Sequence, residues 1–68
     1  MAAVDWRDRA KAVMAEHDLT QQDIADTLGV TRGAVGHYLV GRRDPSINQI
    51  IELAACLDVS VGWLLAGE

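Results

Sequence analysis

The apolar residues of the chain recur with the period of an α-helix. In the first segment they fall at i, i+4, i+7, i+8 and i+11. This spacing predicts a helix over residues 5–17 whose buried stripe is Trp6, Ala10, Val13, Met14 and His17. The cations of this segment fall mostly on the opposite face, which predicts a charged surface exposed to solvent and formed by Arg7, Arg9 and Lys11.

Two shorter amphipathic segments follow, and a glycine separates them. Thr20 is a favourable N-cap residue with Asp23 three positions later, so a second helix is predicted over residues 20–28. Its apolar stripe is Ile24, Ala25 and Leu28. Gly29 ends this helix, because glycine tolerates the left-handed backbone that a sharp exit requires.

The spacing across this glycine carries functional information. Thr31 caps a third helix, predicted over residues 31–40, whose inward face is Val35, Tyr38 and Leu39. The small residue Ala25 is followed four positions later by Gly29 and, six positions after that, by Val35. This pattern is typical of a helix-turn-helix, in which the second helix of the pair can enter the major groove of DNA.

The remaining sequence predicts two more helices. Gly41 ends the third helix, and Ser46 with Gln49 forms a capping box that opens a helix over residues 46–57. The residues predicted to face inward are Ile47, Ile50, Ile51, Ala54 and Leu57, with Leu53 on the flank. A short last helix is predicted over residues 60–66, with Ser60 as its cap and Gly67 as its end.

Five helices joined by short connections leave no room for a strand. The chain is therefore predicted to be one compact all-α domain spanning residues 1–68, with the helix-turn-helix at its second and third helices. Half of its 68 residues are hydrophobic, which favours folding over disorder. The lone Cys56 cannot form an internal disulfide, and no stretch is typical of a signal peptide or a membrane span, so we expect a cytoplasmic protein.

The charges are unevenly placed. The net charge of −4 disfavours indiscriminate binding to nucleic acid. After Lys11, however, the cations are Arg32, Arg42 and Arg43, and no acid lies between residues 31 and 43. We therefore expect one basic face on an acidic body, with binding that depends on specific contacts and on dimer geometry.

The last predicted helix is unusually apolar for the end of the chain. Its consecutive apolar residues cannot all face one small core, so either Trp63 and Leu65 or Val61 and Leu64 should remain exposed. An exposed patch of this kind is typical of an interface. We therefore expect a weak homodimer, formed through this helix with Val61, Trp63 and Leu65 at the interface.

Gly33 and Gly36 lie inside the third helix, where each costs roughly 1 kcal/mol relative to alanine. Either packing rescues a weak helix, or the missing side chains let the backbone approach the bases or sugars of DNA. The second interpretation is favoured, because both glycines fall on the side away from Val35 and Leu39. No Ser/His/Asp set, metal-ligand spacing or phosphate loop is present, so we expect no enzymatic activity, no metal and no cofactor.

Motifs spread over nearly the whole chain from Leu19 onward point to one family. They are Thr20-Gln21-Gln22-Asp23-Ile24-Ala25, Leu28-Gly29-Val30-Thr31, Val35, Gly41-Arg42-Arg43, Pro45-Ser46, Ile50, Leu53-Ala54, Leu57, Val59-Ser60 and Trp63-Leu64-Leu65. Together they resemble the lambdoid phage repressor and Cro family of helix-turn-helix proteins. The resemblance implies a compact five-helix, lambda-repressor-like domain that binds two-fold operator DNA as a dimer and regulates transcription, most naturally as a phage-type repressor.

The resemblance also implies roles for individual residues. Gln21 would contact a backbone phosphate and brace the residue that opens the third helix, and the helix N-terminus at Thr20 favours an anion. Arg32 stands at the principal base-reading position and would address O6 and N7 of guanine. Gly33 occupies a second base-contact position without a side chain, and His37 can reach a base edge or a phosphate.

Loop cations complete this expected surface, since Arg42 and Arg43 match residues that clamp phosphate and Asn48 would add a further phosphate contact. The whole expected DNA-binding set is Thr20, Gln21, Thr31, Arg32, Gly33, Gly36, His37, Arg42, Arg43 and Asn48. One pair departs from the family pattern. Many relatives join an arginine late in the first helix to a glutamate late in the third, but here Met14 and Leu39 stand at those positions, which predicts an apolar contact instead.

Several alternatives stay open at this level. An antitoxin that represses its own operon, or a controller of a restriction system, would share the fold, and a helix-turn-helix used only for protein contacts is the alternative of a different class. Asp23 and Asp26 could touch RNA polymerase, although a solvated acidic face is the simpler interpretation. The chain could be a complete small regulator or the N-terminal part of a longer repressor.

Overall fold

The structure is a computed structural model that describes residues 5–67, so residues 1–4 and 68 of the predicted domain lie outside the described part. Five α-helices and no strand are present in residues 5–67. They are α1 (Trp6–Glu16), α2 (Gln21–Leu28), α3 (Arg32–Val40), α4 (Ile47–Leu57) and α5 (Val61–Ala66). The all-α class is confirmed, and every observed helix end lies within one residue of the predicted one. No helix in this range is long and apolar enough to cross a membrane.

The helices begin at side chains that bond to their first turn. Thr20 and Asp23 form the predicted capping box of α2, in which the Asp23 N–H donates to the Thr20 hydroxyl at 3.1 Å. Ser46 and Gln49 form the predicted box of α4, and a third box begins at Asp5 before α1. These bonds satisfy backbone N–H groups that have no partner inside the helix. Local sequence is therefore sufficient to place the helix starts.

One hydrophobic core lies between the five helices. α2 packs against α3 and α4, and α1 packs against α3, α4 and α5. The core consists of Ala10, Val13, Met14, Ile24, Ala25, Val35, Leu39, Ile50, Leu53, Ala54, Leu57 and Leu64. Met14 and Leu39 both belong to it, as the predicted apolar contact between α1 and α3 requires.

The face that α4 turns to the core differs from the predicted one. Ile47 and Ile51 are 66% and 50% exposed, whereas Leu53 is buried. The buried residues are Ile50, Leu53, Ala54 and Leu57, which have the i, i+3, i+4, i+7 spacing of one helix face. The prediction for Ile47 and Ile51 was wrong, because α4 carries more apolar side chains than one face can turn inward.

The polar residues of α1 are also placed differently from the prediction. The predicted stripe is buried at Ala10, Val13 and Met14 and half-buried at Trp6. His17 is exposed, because it is the C-cap residue at which the backbone leaves the helix. Arg7 and Arg9 do not form an exposed surface but fold back over other helices. Arg9 donates to the carbonyls of Leu64 at 2.8 Å and Leu65 at 2.9 Å, which satisfies the end of α5.

The short helix α5 divides its apolar residues between core and surface. Leu64 is completely buried, Val61 and Trp63 are half-buried against the core, and Leu65 is 43% exposed. Neither predicted alternative holds in full, because α5 buries Leu64 completely and exposes Leu65, while Val61 and Trp63 are each only partly buried against the core. Leu65 is therefore the principal exposed apolar residue of α5.

Leu64→Ala should lower the free energy of unfolding by about 2–5 kcal/mol, since it removes a fully buried side chain and leaves a cavity. Leu65→Ala, at the exposed neighbouring position, should cost less than about 1 kcal/mol. Urea denaturation followed by circular dichroism measures both changes. Equal losses for the two variants would contradict this placement of α5.

Candidate nucleic-acid interface

α2 and α3 form a fixed pair, and their mutual contact is the most extensive between any two helices of the described residues. Gly29 leaves α2 with a φ of 70°, in the left-handed region, and the Val30 N–H donates to the Ala25 carbonyl at 3.1 Å. Val30 packs against the core at the turn, and Ala25 is fully buried. The orientation of α3 is therefore set by its packing on α2.

A cleft of about 280 Å³ lies where α2 and α3 begin, lined by Thr20, Gln21, Gln22 and Arg32. Arg32 is exposed and, within residues 5–67, makes no side-chain hydrogen bond or ion pair. The start of α2 contributes unpaired backbone N–H groups and the positive end of the helix dipole. A free guanidinium beside a helix N-terminus gives this cleft the chemistry of an anion site.

The two glycines of α3 have different surroundings. A β-carbon on Gly33 would meet only the Thr31 hydroxyl, at 3.9 Å. A β-carbon on Gly36 would lie 3.4 Å from Oε1 of Gln21, and Gly36 is half-buried. Gln21 therefore lies against α3 beside Gly36, whereas Gly33 leaves part of the exposed surface of α3 without a side chain.

The C-terminal end of α3 continues directly into residues 41–44, which we call the basic loop. Gly41 adopts a φ of 84°, and its N–H donates to the Tyr38 carbonyl at 3.3 Å. The N–H groups of Arg42 and Arg43 both donate to the His37 carbonyl, at 2.9 and 3.3 Å. Both arginines are therefore bonded through their backbone to the last turn of α3.

The two arginine side chains of the basic loop lie in different environments. The guanidinium of Arg43 is 5.9 Å from the centre of the Tyr38 ring, in cation–π geometry. Tyr38 is itself buried, and its hydroxyl donates to Oε1 of Gln49 at 3.4 Å. Arg42 is exposed and makes no side-chain bond or ion pair with any described residue. Among the described residues Arg42 is thus free for a ligand, and Arg43 lies near the Tyr38 ring.

Arg7 is the residue of this region that sequence reasoning missed. It donates to the Tyr38 carbonyl at 2.6 Å and to the carboxylate of Asp44 at 2.8 Å, and so neutralises the acid of the basic loop. These partners are 31 and 37 positions away along the chain, so no local pattern indicates them. Desolvation acts to raise the pKa of Asp5, but hydrogen bonds and the positive charge of Arg7 outweigh it and hold this pKa below its usual value.

The other predicted site residues occupy two separate parts of the surface. His37 and Asn48 are exposed, while the hydroxyls of Thr20 and Thr31 accept hydrogen bonds as helix caps. Val61, Trp63 and Leu65 belong to α5, which packs on α1 and α4 and not on α2 or α3. The residues predicted for DNA and those predicted for dimerisation are thus carried by different helices.

The comparison with known sequences settles the family. The sequence profile of the helix-turn-helix family matches residues 11–64. The chain belongs to this family. This helix-turn-helix domain is 41% identical over 63 residues to the uncharacterized HTH-type transcriptional regulator YqaE of Bacillus subtilis, covering 93% of this chain and 54% of that protein. It is 38% identical over 60 residues to the HTH-type transcriptional regulator PrtR of Pseudomonas aeruginosa, covering 88% of this chain and 23% of that protein.

A solved structure has the same fold. The helix-turn-helix domain matches the P22 c2 repressor protein, crystallised in complex with synthetic operator 9T in the presence of Tl+, with a TM-score of 0.87. The match covers 97% of this chain and 100% of that chain at 20% identity. This likeness confirms the predicted lambda-repressor-like architecture, whereas the sequence relatives identify the regulator family.

The sequence relatives are longer proteins than this chain. They are transcriptional regulators, and the helix-turn-helix domain is accordingly not an enzyme. The chain spans about half the length of the curated relative YqaE and a smaller share of PrtR. In the described part of the chain, no three His, Cys, Asp or Glu side chains are grouped so that they could hold a metal ion.

Gly33→Ala should raise the free energy of unfolding by roughly 0.5–1 kcal/mol, because alanine favours the helix and its β-carbon meets only the Thr31 hydroxyl, at 3.9 Å. Gly36→Ala should gain less, since its β-carbon would lie 3.4 Å from Oε1 of Gln21, at the close end of ordinary van der Waals contact. Thermal unfolding of the two variants beside the wild type measures the difference. A larger gain at Gly36 than at Gly33 would contradict the packing of Gln21 on α3.

Proposed function

We propose that the chain binds double-stranded DNA sequence-specifically and regulates transcription, with α3 in the major groove. The observation that carries this proposal is the placement of two guanidinium groups, Arg32 and Arg42, at opposite ends of α3, neither of which has a partner among residues 5–67. No acid lies between residues 31 and 43. A helix with an exposed arginine at each end and no acid along its length suits the anionic, phosphate-lined entrance of a groove.

The two ends of α3 make different contacts with DNA in this proposal. Arg32, at the start of the helix, reads the O6 and N7 edge of guanine. Gln21 and the N-terminus of α2, on the wall of the same cleft, bind a backbone phosphate. At the other end Arg42 and Arg43 clamp a second phosphate. The exposed His37 adds a contact to a base edge or a phosphate from the last turn of α3, and Asn48 adds a phosphate contact from α4. Gly33 has no side chain, so the sugar or base edge can approach the backbone of α3 closely there.

The regulator acts as a repressor that binds a two-fold operator as a dimer. The support is the repressor fold, together with the exposed Leu65 and the half-buried Val61 and Trp63 of α5. Because a helix of 6 residues offers little apolar area, dimerisation through α5 is weak and is strengthened by binding to DNA. Such a regulator works in the cytoplasm, on the bacterial or phage chromosome.

Contact with RNA polymerase through α2 has less support. The carboxylate of Asp23 accepts from the Thr20 N–H at 2.9 Å as part of the capping box. Asp26 accepts from the side chain of Gln22 at 2.9 Å. Both acids thus have local structural partners, so our proposal is limited to DNA and a second copy of the chain.

An interaction-only module would use the same fold without binding DNA, and an antitoxin or a restriction controller would bind DNA to control its own operon. The two free arginines of α3 and the basic loop favour DNA over protein as the partner. Whether the regulator is a phage-type repressor, an antitoxin or a restriction controller depends on the genes beside the operator.

Arg32→Ala should change which sequences are recovered when duplexes are selected from random DNA, because it removes the main base-reading side chain. Discrimination should fall by about 1–3 kcal/mol at one position of each half-site. Lys11→Ala, which removes another exposed cation that has no partner in the described part of the chain, is the control and should leave the preferred sequence unchanged. Identical preferences of wild type and Arg32→Ala would exclude Arg32 as the reader.

Leu65→Asp should shift the monomer–dimer equilibrium towards monomer in sedimentation velocity experiments with operator DNA present, because it places a charge in the apolar surface of α5. Ile51→Asp is the matched control, since Ile51 is 50% exposed and Leu65 is 43% exposed. Dimerisation should survive the change at Ile51. If Leu65→Asp dimerised as the wild type does, the interface would lie elsewhere.

A further inference from the structure

Arg7 of α1 joins three separate segments of the chain. Its Nε donates to the Tyr38 carbonyl at 2.6 Å, its Nη2 to Asp44 at 2.8 Å and its Nη1 to Asp5 at 3.0 Å. The guanidinium carbon also lies 4.8 Å from the centre of the Trp6 ring. Only 16% of the Arg7 side chain is exposed. A single planar fork thus connects the start of α1, the last turn of α3 and the basic loop.

The contact between Arg7 and the basic loop includes the loop backbone. A β-carbon on Gly41 would lie 3.7 Å from Nε of Arg7, so the guanidinium packs against the residue that turns the chain out of α3. The Tyr38 carbonyl, just before this turn, accepts from both Arg7 and the Gly41 N–H. Asp44, at the other end of the loop, is bonded to the same guanidinium. Arg7 therefore contacts the chain on both sides of Arg42 and Arg43, at Tyr38 and Gly41 before them and at Asp44 after them.

We propose that Arg7 is a positioning residue for the phosphate contact. By holding Gly41 and Asp44, it keeps the basic loop in the conformation from which Arg42 reaches the DNA backbone. This inference rests on the proposed DNA-binding function and deepens it. Arg7 does not itself provide the contact, because its three guanidinium nitrogens already donate to protein oxygens and most of its side chain is buried.

Charge and geometry can be separated at this residue. Asp44 is 90% exposed, and without a neighbouring cation its carboxylate would repel the phosphate that the loop is to bind. A lysine in place of Arg7 keeps the positive charge but cannot bind three acceptors in one fixed plane. Arg7→Lys therefore preserves charge balance and removes the fork.

A double-mutant cycle on DNA affinity tests the proposal. Arg7→Gln and Arg42→Ala are measured alone and together against a duplex selected by the wild type. Arg42→Ala should weaken binding roughly tenfold in the wild type, as for a lost charge-assisted hydrogen bond. In the Arg7→Gln background it should weaken binding less than about threefold, because Arg42 is no longer held in place. Arg7→Lys should behave as Arg7→Gln does.

Arg9→Gln is the matched control for a general loss of stability. Arg9 lies two positions after Arg7 on α1 and donates to carbonyls at the end of α5 instead of α3. The effects of Arg9→Gln and Arg42→Ala on DNA affinity should be independent. The double variant should therefore weaken binding by the product of the two single effects, to within about twofold. Circular dichroism at the assay temperature shows which variants are folded. If Arg7→Gln is not, Asp44→Asn takes its place in the cycle, since Asp44 is exposed and its loss also frees the loop.

The outcomes distinguish this inference from the function on which it rests. Independent effects of Arg7→Gln and Arg42→Ala, or full binding by Arg7→Lys, would overturn the positioning role. A wild-type protein whose affinity for duplex DNA does not depend on salt would overturn the proposed function as well. If Arg42→Ala weakened DNA binding but Arg7→Gln left it intact, the positioning role would be overturned and the proposed DNA-binding function would stand.

Discussion

α3 is a weak helix that is held in shape by its neighbours, and the order of the proposed DNA-binding surface depends on that packing. It has 9 residues, two of which are glycines, and an isolated helix of this length is marginal in water even with a better composition. Its buried residues, Val35, Tyr38 and Leu39, fix it to the core. Its start is capped by Thr31, and its end is closed by Gly41 and Arg7. Because packing and capping hold α3, its exposed side can carry a glycine at position 33 and the segment remains helical.

α1 holds the end of two other helices with one arginine each. Arg7 donates to a carbonyl in the last turn of α3, and Arg9 donates to two carbonyls at the end of α5. Because helix C-termini leave carbonyls without partners, a buried guanidinium satisfies them and fixes the helix end at once. α1 thus connects the helix proposed to read DNA with the helix proposed to pair two copies of the chain.

Charge placement explains how an acidic protein can serve as a DNA-binding regulator. Of the arginines, Arg7 and Arg9 are bonded inward, and Arg43 lies over the Tyr38 ring. Arg32 and Arg42 remain free among the described residues, one at each end of a helix about 13 Å long. With so few free cations, nonspecific attraction is small, and affinity must come from a correctly placed set of contacts. Holding the basic loop in position then matters more than adding charge.

The sequence by itself determined the five helices, their limits and the turn between α2 and α3. Those features depend on neighbours within about four positions: the capping boxes at Thr20 and Ser46, the left-handed exits at Gly29 and Gly41, and the period of the apolar residues. It also placed Arg32 at the start of α3, whereas the cleft beside it is seen only in the structure.

Only the tertiary structure decided which way the ambiguous residues face. Ile47 and Ile51 were expected in the core but are exposed, because the crossing of α4 with the other helices selects one of two overlapping apolar faces. Arg7 and Arg9 were expected in solvent but are folded inward, because their acceptors are carbonyls more than 30 positions away. A sequence pattern cannot predict hydrogen bonds to backbone carbonyls, because every residue carries one. Only the packing of the helices determines which carbonyl an arginine side chain reaches.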